Sequence, residues 1–325
     1  MHLGPGSYAD RHLSWLLNPI SLPFKLISAV NWLQRRARRK AFPGTFIISV
    51  DNLAFGGTGK TSLVMEIGAG LQAAGLRFAI VSRGYGGSLV GQGCLVSTEH
   101  NYKQVGDEAL LFKRRFPEQS VYIGRDRKKS IINARAAGNR FIILDDGLQR
   151  ADIKKDLSLL LVDPSHSYYY LRHFRCLARH CDLLLVHDPE DCAQEQPGYR
   201  FERTEICRVD GQPFDPAGRP LVVFAALGDG RRFLHSLRDL NVIQFEAFRD
   251  HYPYRAVDLA RLEKKRRAAG AEFLLCTEKD LVKLLPLLSP EAPFLFVKNR
   301  IKSNFSIIKR IMADARGKGI LASPD

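Results

Sequence analysis

The stretch Thr45 to Thr61, TFIISVDNLAFGGTGKT, constrains the chain more than any other. Thr45 to Val50 is a β-branched and aromatic run that reads as a buried strand, and SLVMEIGAGLQAAG from Ser62 onward carries apolar residues at helical spacing. Between them Gly56, Gly57, Thr58, Gly59, Lys60 and Thr61 make a strand-to-helix turn whose glycines tolerate positive φ and close backbone approach. Such a turn cradles phosphates. Backbone N–H groups and the positive end of the helix face the ligand, Lys60 reaches the outer phosphates, and the Thr61 hydroxyl can ligate Mg²⁺. The usual spacing asks for glycine where Ala54 stands, so only the second half of the pattern matches. A glycine-rich turn with no ligand is the plain alternative.

Strand and helix signals keep alternating beyond this turn, and the fold expected is α/β. It is a P-loop NTPase-type, mostly parallel sheet with helices on both faces. Strands are expected at Phe78–Ser82, Cys94–Ser97, 120–123, 141–144, Leu157–Asp163 and Asp182–His187. A second series follows at Leu221–Ala225, Val242–Phe248, Glu272–Thr277 and Phe294–Val297, with helices between. Because 325 residues exceed what one core usually organises, a second, smaller α/β domain is expected. The Gly, Pro and charge-rich stretch 197–218 marks the junction. The divisions are then an N-terminal segment 1–41, a nucleotide domain 42–205 and a smaller domain 206–325.

Acids stand where such a sheet binds ligands. Phe141-Ile142-Ile143-Leu144 runs into Asp145-Asp146-Gly147, a buried parallel strand delivering two carboxylates at its C-terminal edge. In a nucleotide enzyme those acids hold Mg²⁺ directly or through water. Gly106-Asp107-Glu108 opens a helix running to Phe116, where acids are also favoured by the helix dipole alone. His251 lies in the loop Arg249-Asp250-His251-Tyr252-Pro253-Tyr254, and on residue type alone it reads as a packing histidine.

The net charge of +15 implies an anionic partner: nucleic acid, an anionic membrane or a phosphorylated substrate. Its distribution favours the membrane. Leu13 to Leu33 is apolar, though broken by Asn18, Pro19, Pro23, Lys25 and Asn31, and is followed by Arg35, Arg36, Arg38, Arg39 and Lys40. Both tryptophans, Trp15 and Trp32, lie here, which suits an interfacial anchor better than a spanning helix. A helix packed on the domain is the alternative. No aromatic-interleaved basic stripe points to nucleic acid. Six cysteines form no CxxC pair, and Cys176 and Cys181 beside His173 and His180 lack the second pair a zinc site needs.

Six motifs in order, Asn52-Leu53 with GGTGKT, Ser82-Arg83-Gly84-Tyr85-Gly86, Gly106-Asp107-Glu108, Asp145-Asp146-Gly147-Leu148-Gln149, Asp250-His251-Tyr252 and Thr277-Glu278-Lys279-Asp280, resemble the tetraacyldisaccharide 4′-kinase family. The resemblance covers most of the chain. It implies transfer of the γ-phosphoryl of ATP, with Mg²⁺, to the 4′-hydroxyl of an acylated disaccharide 1-phosphate lipid. The enzyme would be a monomer on the anionic cytoplasmic face of a bacterial inner membrane, with no nucleic-acid partner. Carried over, Asp107 and His251 form the catalytic dyad, brought together by domain closure on the substrate. Gly56 to Thr61 and Gln149 bind the nucleotide. Asn52, Arg83, Tyr85 and Arg172 meet the acceptor, and Thr61 with Asp145 or Asp146 holds the metal. One departure stands out: in PSHSYYYLRHFRCL the family's longer loop is shortened, and His173 replaces an expected Glu. Altered metal use, another acceptor lipid and a reduced activity are the consequences that substitution allows. The competing classes are a nucleic-acid P-loop protein and an ATPase without a lipid acceptor.

Overall fold

The computed structural model describes residues 27, 30–52, 57–164, 175–188, 197–228, 230–289 and 291–322. Among these, twelve strands form one sheet of order β10-β9-β11-β12-β8-β7-β6-β1-β5-β2-β4-β3. They are β1 Phe46–Asn52, β2 Phe78–Ser82, β3 Cys94–Leu95, β4 Ser120–Ile123, β5 Phe141–Asp145, β6 Leu157–Val162, β7 Leu183–His187 and β8 Gly198–Arg208. The series continues with β9 Leu221–Ala226, β10 Val242–Phe248, β11 Phe273–Thr277 and β12 Phe294–Ser303. Every pairing is parallel except β3 with β4 and β8 with β12. The sheet is therefore two parallel sections joined along one antiparallel seam.

In the first section β1 lies between β5 and β6, and all seven of its residues are buried. Alternation sends Phe46, Ile48 and Val50 to one face, where they pack on Leu63, Val64, Ile67 and Leu71 of α1 (Lys60–Ala73). The same face takes α2 (Tyr102–Val105) and Phe112 of α3 (Asp107–Arg115). Ile47 goes to the opposite face with Ile131 and Ala134 of α4 (Arg127–Ala136). Helices thus cover both faces, as a buried parallel strand requires.

The second section, β9 to β12, is likewise covered on two sides. Leu262 of α6 (Ala256–Ala268) and Leu281 and Leu284 of α7 (Glu278–Leu284) pack on one face. Phe233 of α5 (Gly230–His235) packs on the other. The last helix, α8 (Ile307–Gly317), returns to the first core, where Ile307, Ile311 and Ala315 are buried. The expected boundary at 205/206 falls inside β8, a strand that the sequence reading took for a junction.

The register of the seam sets where the site lies. β7 pairs only with Gly198 and Tyr199 at the start of β8, whereas β11 pairs with the first residues of β12, opposite Ile206 to Arg208 at the other end of β8. The two sections are offset by about 20 Å along the ribbon. They also run in opposite directions. Their carboxyl edges consequently face one another, and the loops after β1 and β5 and the helical connection between β3 and β4 meet loops after β10 and β11 across a cleft.

Candidate active site

On the floor of the cleft the phosphate loop is internally braced. Asn52, buried at the end of β1, donates from Nδ2 to Thr58 Oγ1 at 2.7 Å and accepts from Lys60 Nζ at 2.7 Å. Lys60 Nζ also lies 3.8 Å from Asp146 Oδ1. Asn52 is expected to meet the acceptor; its amide instead braces the loop through Thr58 and Lys60. Gly59 caps α1 at φ +93°, and a Cβ there would sit 2.7 Å from the Phe201 ring. Both conditions require glycine. Residues beyond the motif complete the brace. Tyr199 donates its hydroxyl to Thr58 O at 2.8 Å, and Arg232 of α5 pairs with Asp163 while its Nη1 lies 3.5 Å from Gly57 O. Gly56 lies outside the described residues.

Beside the loop, β5 ends at Asp145. Its Oδ2 accepts from Ser82 Oγ at 2.8 Å, and its carbonyl accepts from the buried Arg127 guanidinium at 2.7 Å. Burial, reinforced by the charges of Glu108 and Asp146, pushes the Asp145 carboxyl up to about 7. Asp146 follows in a left-handed turn at φ +58°, partly exposed.

From the side, α3 brings two more acids. Its cap, Gly106, has φ +87°, and a Cβ there would stand 2.6 Å from Tyr85 O, so only glycine lets the helix start against the Arg83–Gly87 loop. Glu108 accepts from Thr61 Oγ1 at 2.8 Å. Asp107 Oδ2 meets His251 Nδ1 at 2.9 Å. Lys279, in the first turn of α7, places Nζ 3.5 Å from Glu108 Oε1, 3.8 Å from Asp250 Oδ1, 4.0 Å from Asp107 Oδ2 and 3.4 Å from His251 Nε2. Burial would raise the Asp107 carboxyl, but the His251 hydrogen bond and the Lys279 charge outweigh it and hold it at about 2. Reciprocally, the bond to Asp107 raises His251. The Tyr85 ring lies 5.3 Å from the His251 ring. The pair expected to form on substrate closure is already in contact here, with the two sections as they stand.

A cavity of about 390 Å³ opens between this region and the N-terminal helical stretch 30–37. Arg83, Arg125, Arg127, Asp146, Gln149 and Arg35 line it. Gln149 therefore shares this cavity with the arginines and with Asp146. Trp32 does not face lipid as expected: it is 7% exposed, donates Nε1 to Leu148 O at 3.1 Å and stacks on His180 at 4.6 Å. Packing against Leu148, Ala151 and Leu160 explains the burial. Ile27, Val30 and Leu33 are 62%, 53% and 61% exposed. Among the described residues no helix is long and apolar enough to cross a membrane. Trp15, Arg172 and His173 lie outside the described residues.

Residue type and spacing alone give Glu108, Lys279 and Arg127 no role. Glu108 and Lys279 stood inside motifs that could have flagged them. Arg127, Tyr199 and Arg232 carried no signal, because each acts through a contact distant in sequence.

A braced phosphate loop beside paired carboxylates, with a carboxylate–imidazole pair across the cleft, defines the class: an ATP-using phosphotransferase of the P-loop kind. The profile of the tetraacyldisaccharide-1-P 4′-kinase family matches residues 13–313. The chain belongs to that family. A tetraacyldisaccharide 4′-kinase of Bradyrhizobium is 34% identical over 291 residues, covering 83% of this chain and 81% of that protein. One from Geobacter metallireducens is 33% identical over 314 residues, covering 86% and 91%. Among solved structures, LpxK from Aquifex aeolicus, determined in complex with ATP, is similar with a TM-score of 0.74 and 26% identity. The match covers 94% of this chain and 99% of that one.

Proposed function

We propose that this protein transfers the γ-phosphoryl of ATP to the 4′-hydroxyl of an acylated glucosamine disaccharide 1-phosphate, the step that yields lipid IVA. The observation that carries the reading is the 2.9 Å Asp107–His251 contact standing next to Glu108, which itself grips Thr61 of the phosphate loop. A proton acceptor and a phosphate cradle are thereby two residues apart in contact terms.

Phosphoryl transfer asks a protein mainly for alignment and charge neutralisation. Lys60 and the loop amides hold the triphosphate. Asp107 orients the acceptor hydroxyl through a carboxylate oxygen and takes its proton. Held at about 2, Asp107 is a weak base. A loose transition state makes that sufficient, because the hydroxyl becomes acidic only as its bond to phosphorus forms. His251 fixes the carboxylate's direction and shares the proton's charge. Arg83 and Tyr85 border the acceptor's approach, and the arginine-lined cavity suits its phosphate.

Mg²⁺ fits the donor set. Among the described residues no three His, Cys, Asp or Glu side chains gather for a metal, but Thr61, Asp145 and Asp146 offer hard oxygens beside the phosphate position. Mg²⁺ takes one or two carboxylates plus substrate phosphates. The crowding of Asp145 by Glu108 and Asp146 marks a spot short of positive charge. Bound there, the cation would neutralise charge on the transferring group.

The exposed Ile27, Val30 and Leu33 beside Arg35, Arg36, Arg38 and Arg39 support docking of residues 1–41 on the cytoplasmic face of an inner membrane. The acting form in this reading is a monomer. The first parallel section with the returning helix α8, and the second section beyond the β8–β12 seam, then act as two working parts.

The test is incubation with labelled ATP and a lipid disaccharide 1-phosphate. Label on the sugar's 4′ position is the expected result. ATP turnover indifferent to the lipid would replace this reading with a plain ATPase.

A further inference from the structure

Four charged or titratable groups converge on one ammonium in the cleft. Lys279 comes from the second section, 171 residues from Glu108, and its side chain is 15% exposed. It lies within 4.0 Å of Asp107, Glu108 and Asp250, and within 3.4 Å of His251 Nε2. An ammonium has three donors and no acceptor. Nε2 also has the Asp250 carboxylate 3.9 Å away, but the ammonium is nearer, so in the neutral imidazole Nε2 is the acceptor and Nδ1 carries the proton toward Asp107 at 2.9 Å. Which ring nitrogen holds the proton is set by the partner of the other.

Its placement is itself built. Thr277 caps α7, accepting from Asp280 N at 3.1 Å. Asp280, fully buried, accepts from Thr277 Oγ1 at 2.8 Å and from Ala226 N at 3.1 Å, and pairs with the buried Lys283 at 2.8 Å. The first turn of α7 is thus anchored to β9, and Lys279 projects from a fixed start. A surface lysine pairing opportunistically with acids would have no such footing.

We propose that Lys279 is a positioning residue for phosphoryl transfer: by facing His251 Nε2 it sets the tautomer that aims Nδ1–H at Asp107, and by bridging Asp107 to Glu108 it locks that pair to Thr61 of the phosphate loop. The inference rests on the kinase reading of the site. It adds a third member to the Asp107–His251 pair and makes the second section responsible for its orientation.

The first measurement needs no substrate, so its failure is separable from failure of the kinase reading. In ¹⁵N-labelled protein above the titration of His251, the ring should report Nδ1–H with Nε2 bare; Nε2–H in the folded enzyme overturns the proposal. The second is kinetic. Lys279→Met should lower kcat about 10²-fold while the Kd for ATP stays within about twofold, the size expected when an acid–base pair loses its alignment. Its kcat should also lose its acid limb earlier, moved up by about one pH unit, because a cation that favoured the Asp107 carboxylate is gone. The other groups facing Asp107, Tyr102, Glu108, His251 and Lys283, are unchanged in that comparison. Lys279→Arg keeps the charge among the acids and should leave the limb in place with kcat recovered at least tenfold over Lys279→Met. Weakened ATP binding with kcat intact would make Lys279 a phosphate ligand instead. A loss that Lys279→Arg does not recover, with the limb unmoved, would make it a structural ion pair. Either result overturns the proposal, and if Lys279→Met does not fold, the tautomer and Lys279→Arg readings decide.

Discussion

The two walls of the cleft are made in opposite ways. The phosphate loop is a contiguous strip: Asn52, Thr58 and Lys60 lie within nine residues and brace each other directly. The wall opposite is assembled from Asp107, His251 and Lys279, the first two 144 positions apart in sequence. A mainly local site gets most of its geometry from one turn and one helix cap, with Tyr199 and Arg232 completing the brace from outside. A non-local one gets it from the register of the β8–β12 seam, without which the carboxyl edges would not face each other. The loop should therefore govern both binding and chemistry, and the opposite wall chemistry alone.

The sharpest way to break that contrast is Lys60→Ala. It should cost about 10³-fold in kcat together with measurable ATP affinity, since it removes the one loop cation that reaches the outer phosphates. Steady-state assay with ATP titration calorimetry checks both. Next, Asp107→Asn should lower kcat about 10²-fold and leave ATP affinity unchanged. Equal losses in both quantities would show the walls are not separable. Smaller still, Gly59→Ala forces a left-handed alanine against Phe201 and should weaken ATP binding by about 1–3 kcal/mol, with Phe201→Leu relieving part of it. Stability has its own signature. Asp107 has a folded value lowered from 3.8 to about 2, so its contribution is present above 3.8 and is lost as pH falls toward 2. Asp107→Asn should then show a shallower fall in Tm across that window. Smallest of all, Trp32→Phe deletes the bond to Leu148 O and should cost about 1 kcal/mol of stability by thermal melting.

The same contrast explains what could be read from the sequence. β1, the loop and α1 were legible because their signal is periodicity followed by glycine. Helix α1 nevertheless starts at Lys60 rather than Ser62, since a left-handed Gly59 can cap it early. Asp145 was legible as an acid ending an apolar run. β8 was not. Its middle residues are half-exposed or exposed along the ribbon, so GYRFERTEICR shows neither an apolar run nor clean alternation, although it carries the seam. His251 on its own residue type reads as packing, and only the family resemblance paired it with Asp107. Trp32 was misjudged for a related reason: amphipathic residues suit a lipid boundary and a protein groove equally, and Leu148 O decides the matter.

The return of α8 to lie on α1 has a consequence for how the protein is made. Ile308 packs against Gly70 of α1, and Ile311 and Ala315 belong to the core beneath the phosphate loop. A ribosome must therefore translate past residue 320 before the helix behind Lys60 has its full cover. A nascent chain, however long its N-terminal part has been in the cytosol, carries the glycine motif without the support that makes it grip ATP, and nonsense mutations that remove only α8 should abolish nucleotide capture while sparing every motif.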